Sequence, residues 1–369
     1  MRWIYPVFMG GMILCVTACG GGAGGGGAPA SSAAEVGKLI FTDRRLSANG
    51  NQSCADCHDP AVGFADPDVT QNAPVSEGSP SGGFGNRNAP TSAYAGFTPA
   101  FGQVDVGGTL FYAGGQFLDG RRDSLEQQAK DPFLNPLEMA NSNVLAVVEK
   151  VRTAAYADRF MAVYGANVFA DANTAFNNIA AAIAAFERSA EMNKFNSKFD
   201  CYLQNATAYP LSANEANGLT VFNGKGKCSG CHSTTPDPVS GKVLLTDHRY
   251  FNIGVPKNPN NPANVANPSF IDKGLGARKG ASENGKFKTP TLRNVALTAP
   301  YMHNGVFATL DEVMTFYNID EKVTAVPAPE VSANITADVD FLGLTQQEMD
   351  DVTAFMRTLT DGSGTGICF

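Results

Sequence analysis

Tryptophan is almost missing from this chain of 369 residues: Trp3 is the only one, and histidine occurs just four times, at His58, His232, His248 and His303. No imidazole lies between His58 and His232. No apolar run approaches the roughly 18–20 residues that a membrane-spanning helix requires. Charge is sparse at 17% and acidic in balance, 35 Asp+Glu against 27 Lys+Arg, formal net −8. That balance supplies no basic face and excludes nucleic acid as the expected partner. A hydrophobic content of 43% excludes a mainly disordered chain. No alternating strand pattern stands out.

The N-terminus reads as a targeting segment. Arg2 precedes an uncharged apolar run over residues 4–16, which suits a signal peptide over residues 1–18. Val16-Thr17-Ala18-Cys19 resembles a bacterial lipoprotein signal, in which cleavage leaves Cys19 first in the chain and carrying lipid. Ordinary secretion with cleavage elsewhere is the alternative. Residues 20–34 are only Gly, Ala, Ser and Pro, so residues 19–34 read as a flexible tether. The expected location is the periplasmic side of a bacterial membrane, lipid-anchored at the outer membrane, or otherwise the soluble periplasm.

Two cysteine motifs carry the chemistry. Cys54-Ala55-Asp56-Cys57-His58 and Cys228-Ser229-Gly230-Cys231-His232 are both C-x-x-C-H, the attachment signature of c-type haem. Two thiols add to the haem vinyl groups, and the adjacent imidazole reaches the iron. A shared Cys₄ zinc site is disfavoured because each pair carries its own His and the pairs lie far apart in sequence. Two covalent haems are therefore expected. Cys201 and Cys368 remain in a disulfide-permissive compartment, bridged or free.

Helical signals frame these motifs. Ser212–Glu215, Thr309–Glu312 and Thr345–Glu348 have capping-box spacing, the last with a Leu344/Met349 staple. Residues 143–164 and 174–192 show helical apolar periodicity. Residues 60–100 and 254–285 are rich in Gly, Pro, Asn and Ser and read as long loops. A boundary near residue 195 gives two domains, 35–195 and 196–369, with no further repeat evident.

At this point the chain resembles the bacterial dihaem cytochrome c peroxidases and their MauG-like relatives, over about residues 36–360. The resemblance rests on LSANGNQSCADCHDP, RNAPT (87–91), DGR (119–121), NPLEM (135–139), FKTPTLRNVALTAPYMHNG (287–305) and LTQQEMDDVTAFMRTL. It implies a mainly α fold of two cytochrome-c-like domains with long irregular loops, an N-terminal peroxidatic haem and a C-terminal electron-transfer haem. Glu138 matches the distal acid–base position, with Gln128 and Pro132 at distal-pocket positions. The second ligand of the His232 haem falls on Tyr317 by register, with Met314 as its competitor on the same helix. A Ca²⁺ between the haems is implied, held by the Asn88 side chain and the Thr298 and Pro300 carbonyls. The first haem has no second His available, so an open iron is expected at rest. His303 reads as structural or close to a propionate, and His248 as a surface residue. Leu118 stands where the family usually has its bridging Trp, leaving Phe117, Tyr112 or direct haem contact to substitute. The implied partners are H₂O₂ and a small redox protein, cytochrome c or cupredoxin, as electron donor. The MauG-like alternative replaces the donor with a protein substrate; a non-enzymatic electron carrier is the third possibility.

Overall fold

The computed structural model describes residues 32–320, 327–337, 341–363 and 368. The expected signal peptide, Cys19 and most of the tether lie outside the described residues. The end of the tether does not. The Ser32 hydroxyl accepts from the Glu35 amide, while the Glu35 carboxylate accepts from the Ser32 amide, and the helix Ala33–Phe41 follows. The tether expected to reach residue 34 thus stops earlier, because a reciprocal cap outweighs low-complexity composition.

Two hydrophobic cores organise the chain. The first joins Val36, Ile40 and Phe41 to Ile179, Ile183 and Phe186 of the helix Ala172–Glu187. The second joins Val221 and Phe222 of the helix Ala213–Asn223 to Val352, Phe355 and Met356 of the helix Gln346–Arg357. Both helix pairs cross on a glycine. A Cβ on Gly37 would overlap the Ala182 carbonyl and press on Phe186; a Cβ on Gly218 would overlap the Asp351 carbonyl and press on Phe355. Only glycine permits backbones to approach that closely.

The likeness of the halves extends into their loops. Thr91 Oγ1 donates to the Gly63 carbonyl at 2.6 Å, and Thr291 Oγ1 donates to the Leu244 carbonyl at 2.7 Å. Three residues beyond, Tyr94 and Asn294 both take left-handed φ, 63° and 61°, and each opens a single 3₁₀ turn, Ala95–Phe97 and Val295–Leu297. This match lies beyond the repeated C-x-x-C-H motif that the sequence shows, because unlike loops separate its pieces.

Other expectations need correction. The sequence predicts one helix over 143–164; the structure has two, Val144–Arg152 and Ala157–Tyr164. Thr153 ends the first by bonding its hydroxyl back to the Glu149 carbonyl at 2.9 Å, a local bond that competes with helix continuation. Thr309 makes only half a capping box, since Glu312 accepts from the Ala308 amide instead. A hairpin lies where the sequence shows no alternating pattern: Gly102–Val106 pairs antiparallel with Thr109–Ala113 around Gly107 and Gly108, both at positive φ. Its first strand is exposed along its whole length, so burial imposes no alternation; the Gly-Gly turn was the available signal. A disulfide joins Cys201, in the helix Lys198–Gln204, to Cys368. Among the described residues no helix is long and apolar enough to cross a membrane.

Candidate functional site

The two C-x-x-C-H histidines are oriented alike. His58 Nδ1 lies 3.1 Å from the Phe64 carbonyl, and His232 Nδ1 lies 2.9 Å from the Leu245 carbonyl. A carbonyl can only accept, so each Nδ1 carries the proton and each Nε2 keeps its lone pair. That is the tautomer a metal ligand needs. Burial lowers both imidazoles below their ordinary range and keeps them neutral. Phe64 and Leu245 both sit at positive φ, 61° and 55°, which aims their carbonyls at the rings.

The surroundings of the first motif fit a large polar-edged group. A cavity of about 590 Å³ is lined by Cys57, Gln52 and Ser76 among others. Gln52 Oε1 is buried there without a hydrogen-bond partner, and a buried polar atom left in that state calls for a missing partner. Cys54, Cys57, Cys228 and Cys231 form no disulfide.

Glu138 stands beside this cavity. Its carbonyl accepts from the Ser79 amide at 2.7 Å, and Ser79 lines the cavity wall. Burial raises the Glu138 carboxyl above its ordinary value, against the opposing pull of Arg121 and of an Asn135 hydrogen bond. The carboxyl is near enough to the Cys57 thiol to push it up. Gln128 closes the short helix Leu125–Gln128, and Pro132 lies in the next, Asp131–Leu134. Pro132 is tied to the Glu138 loop because its carbonyl accepts from the Met139 amide at 3.1 Å.

The second motif has a different neighbour. Tyr317 ends the helix Leu310–Tyr317, and burial pushes its phenol well above the ordinary range, with Cys228 and Cys231 close enough to push it further. Met314 is 3% exposed and belongs to the second core.

The three residues expected at calcium are partly gathered. Asn88 is buried, its amide nitrogen donating to the Pro74 carbonyl at 3.0 Å, which leaves its amide oxygen as the donor atom toward a cation. Gly305 lies between Asn88 and Pro300 and would touch both through a Cβ, whereas Thr298 lies against Gly63. Among the described residues no cluster of three His, Cys, Asp or Glu could hold a metal ion. A cation here would rest on uncharged oxygens, a hard donor set that suits Ca²⁺.

A second, tighter cavity of about 90 Å³ lies where the halves meet, lined by Pro90, Thr91, Tyr94, Phe117, Leu118, His248, Lys288, Pro290 and Thr291. His248 therefore is half-buried, with its ring at the cavity wall. Its Nε2 is buried without a partner, and burial together with the Lys288 charge lowers it to about 4. Its φ of 56° belongs to a loop drawn inward by the His248 carbonyl, which accepts from the Gly114 amide at 3.0 Å. His303 is buried, stacked on Phe287 at 3.8 Å with Glu330 3.3 Å from its Nε2.

Residues 31–208 match the family described as di-haem cytochrome c peroxidase. Over 348 residues the chain is 40% identical to the methylamine utilization protein MauG of Paracoccus denitrificans, covering 89% of this chain and 88% of that one. It is 30% identical over 333 residues to the cytochrome c551 peroxidase of Nitrosomonas europaea, covering 89% and 79%. The crystal structure of the diheme peroxidase BthA from Burkholderia thailandensis is similar with a TM-score of 0.79 and 31% identity, over 90% of this chain and 87% of that one.

Proposed function

The chain belongs to the di-haem cytochrome c peroxidase family and is an oxidoreductase of that type, and from this premise we propose that hydrogen peroxide is reduced in the His58 half while the His232 half shares or relays the oxidising equivalents. The observation that carries the assignment is the unlike pair of neighbours: a half-buried carboxyl in the loop against the first motif's cavity, and a half-buried phenol ending the helix beside the second.

Cys54, Cys57 and His58 would hold one haem c, and Cys228, Cys231 and His232 the other, divided near residue 195. The haem irons supply the electron exchange with peroxide. Glu138 moves a proton between the two peroxide oxygens, and the burial that raises its proton affinity favours that role. Gln128 and Pro132 shape the space around it. Tyr317 sits beside the second attachment thiols, where a positive charge would offset the cost of ionising a buried phenol. Asn88, Thr298 and Pro300 would supply oxygens to Ca²⁺. The chain would act in the periplasm, tethered through Cys19, with a cytochrome c or cupredoxin as donor.

The test mixes the purified dihaem protein in its resting oxidised state with H₂O₂, with and without a reduced small redox protein. Peroxide consumption coupled to donor oxidation is expected. An unchanged spectrum would leave only a non-enzymatic carrier.

Tyr317 favours a second reading, in which peroxide drives oxidation of residues on a partner protein. A phenolate ligand favours holding oxidised iron, whereas methionine raises the potential. Tyr317→Phe should change the spectrum of the second haem and raise its reduction potential. Met314→Leu should leave both nearly as they were, because the swap keeps volume within a packed core. The reverse pattern assigns Met314 and returns the chain to relaying electrons from a donor.

A further inference from the structure

Tyr94 is placed between the two imidazole-orienting loops. Two residues before it, the Ser92 amide donates to the Phe64 carbonyl at 3.0 Å, the same carbonyl that orients His58. On its other side, the Arg293 guanidinium lies 5.0 Å from the Tyr94 ring. Arg293 is tied to the second half: its amide donates to Thr291 Oγ1 at 3.1 Å, its Nε donates to the Val243 carbonyl at 2.8 Å, and its two remaining nitrogens donate to the Asp200 carboxylate. Thr291 in turn holds the Leu244 carbonyl, next to the one that orients His232. A continuous packed route thus runs from one imidazole loop to the other through Tyr94.

The phenol has a dedicated partner. Tyr94 Oη donates to Asp361 Oδ2 at 2.6 Å, and Asn294 Nδ2 donates to the same oxygen at 3.0 Å. Tyr94 is 3% exposed and packs edge-on against Phe195 at 4.9 Å. Of the side chains lining the central cavity it is the one phenol; Leu118 is saturated, and Phe97 and Phe117 carry no proton to release.

We propose that Tyr94 is a proton-coupled electron relay between the two halves, with Asp361 as its proton acceptor. The proposal rests on the peroxidase reading above, and its oxidant is the equivalent that peroxide generates in the His58 half. In the forward step Tyr94 gives one electron to that half. Its O–H bond breaks, and an O–H bond forms on the Asp361 carboxylate. In the return step one electron arrives from the His232 half and the proton moves back from Asp361 to the phenoxyl oxygen, so tyrosine and carboxylate are restored. Arg293 beside the ring is itself paired with Asp200 at 2.7 Å, so the coupling of electron and proton rests on the phenol hydroxyl, which already donates to the Asp361 carboxylate that takes its proton. Asn294, at the position matching Tyr94 in the other half, holds Asp361 in place and cannot itself be oxidised this way.

The test is electron paramagnetic resonance on the dihaem protein freeze-quenched after mixing with H₂O₂. A tyrosyl signal is expected, narrowed by ring-deuterated tyrosine and absent in Tyr94→Phe. That variant keeps its ring against Phe195 and Arg293, and should retain haem content and the initial peroxide reaction. Transfer of oxidising equivalents to the His232 half should slow by roughly tenfold or more, the effect of about 1.4 kcal/mol on a barrier. Asp361→Asn keeps a hydrogen-bonding group of the same shape but not the base, and should also lose the signal. A wild-type protein that reacts with peroxide but yields no tyrosyl signal overturns the relay, as does Tyr94→Phe or Asp361→Asn transferring at the wild-type rate. A wild-type protein inert to peroxide overturns the peroxidase reading and the relay with it.

Discussion

In each half a proline–threonine pair pins a loop whose left-handed residue turns its carbonyl onto an imidazole. Beyond that shared device the halves diverge. The first sets a carboxyl, Glu138, near its cysteine motif; the second sets a phenol, Tyr317, near its own. The first leaves its chain free to continue, while the second closes its end with the Cys201–Cys368 bridge. On the proposed reading, presentation of the metal ligand belongs to the repeated scaffold, whereas the chemistry is set by single residues on the loops and helix ends that the repeat leaves variable.

The sharpest way to break this comparison is to remove the carboxyl. Glu138→Gln should retain haem content and the His58 orientation, yet slow the reaction with peroxide by about 10²–10⁴-fold, the usual weight of a positioned acid–base group. Stopped-flow mixing measures it. A wild-type rate would mean that the two halves do not differ through Glu138 and that the proton moves by another route.

The next prediction asks whether the scaffold is shared energetically as well as in shape. Gly37→Ala and Gly218→Ala each force a methyl group into a carbonyl of the facing helix. Overpacking of this kind costs about 1–3 kcal/mol, reduced by the roughly 1 kcal/mol gained from alanine's helix propensity. Both variants should be destabilised, and by similar amounts, in denaturant titrations of the holoprotein. One glycine tolerant and the other not would show that the second crossing is built differently despite its matching contacts.

Much of this was legible in the residues. The cysteine motifs, the caps at Ser212 and Thr345 and the hydrophobic periodicity of the long helices are local signals, and local signals survive in a single sequence. The two-domain repeat was legible in the paired C-x-x-C-H motifs, but its finer matches were not, because two glycine contacts and two threonine bonds are separated by loops of unlike length. His248 was misjudged for a related reason: nothing in its neighbours shows that Gly114 draws its loop against the other half. Tyr94 gave a faint signal, since NAPTSAY and KTPTLRN share a Pro-Thr pair at one spacing, but its partner Asp361 lies 267 residues away and only the fold unites them.

The last expected effect, seen only above neutral pH, comes from a mismatch inside the repeat. Glu187 directly follows Phe186, the ring that packs on Gly37; Met356 directly follows Phe355, the ring that packs on Gly218. Both are 5% exposed, so one half buries a thioether where the other buries a carboxyl. Glu187 Oε2 has no hydrogen-bond partner, and burial raises the group to about 8, with Arg188 opposing and Glu126 adding to the rise. The folded value stands above the unfolded one, so the native state holds the proton more tightly than the unfolded chain. Stability is therefore fullest below the ordinary carboxyl range, near 4.5, and falls as pH rises toward about 8. Glu187→Met copies the other half and removes the titration. It should raise the unfolding free energy above neutral pH by on the order of 1–3 kcal/mol, the cost of one orphaned buried polar group, and flatten the decline between pH 5 and pH 8. Met356→Glu should install the same slope in the second half. Denaturant titrations of both variants across that pH range measure it. If wild type and Glu187→Met lose stability in parallel as pH rises, the slope originates elsewhere, and the carboxyl at 187 is tolerated as freely as the thioether at 356.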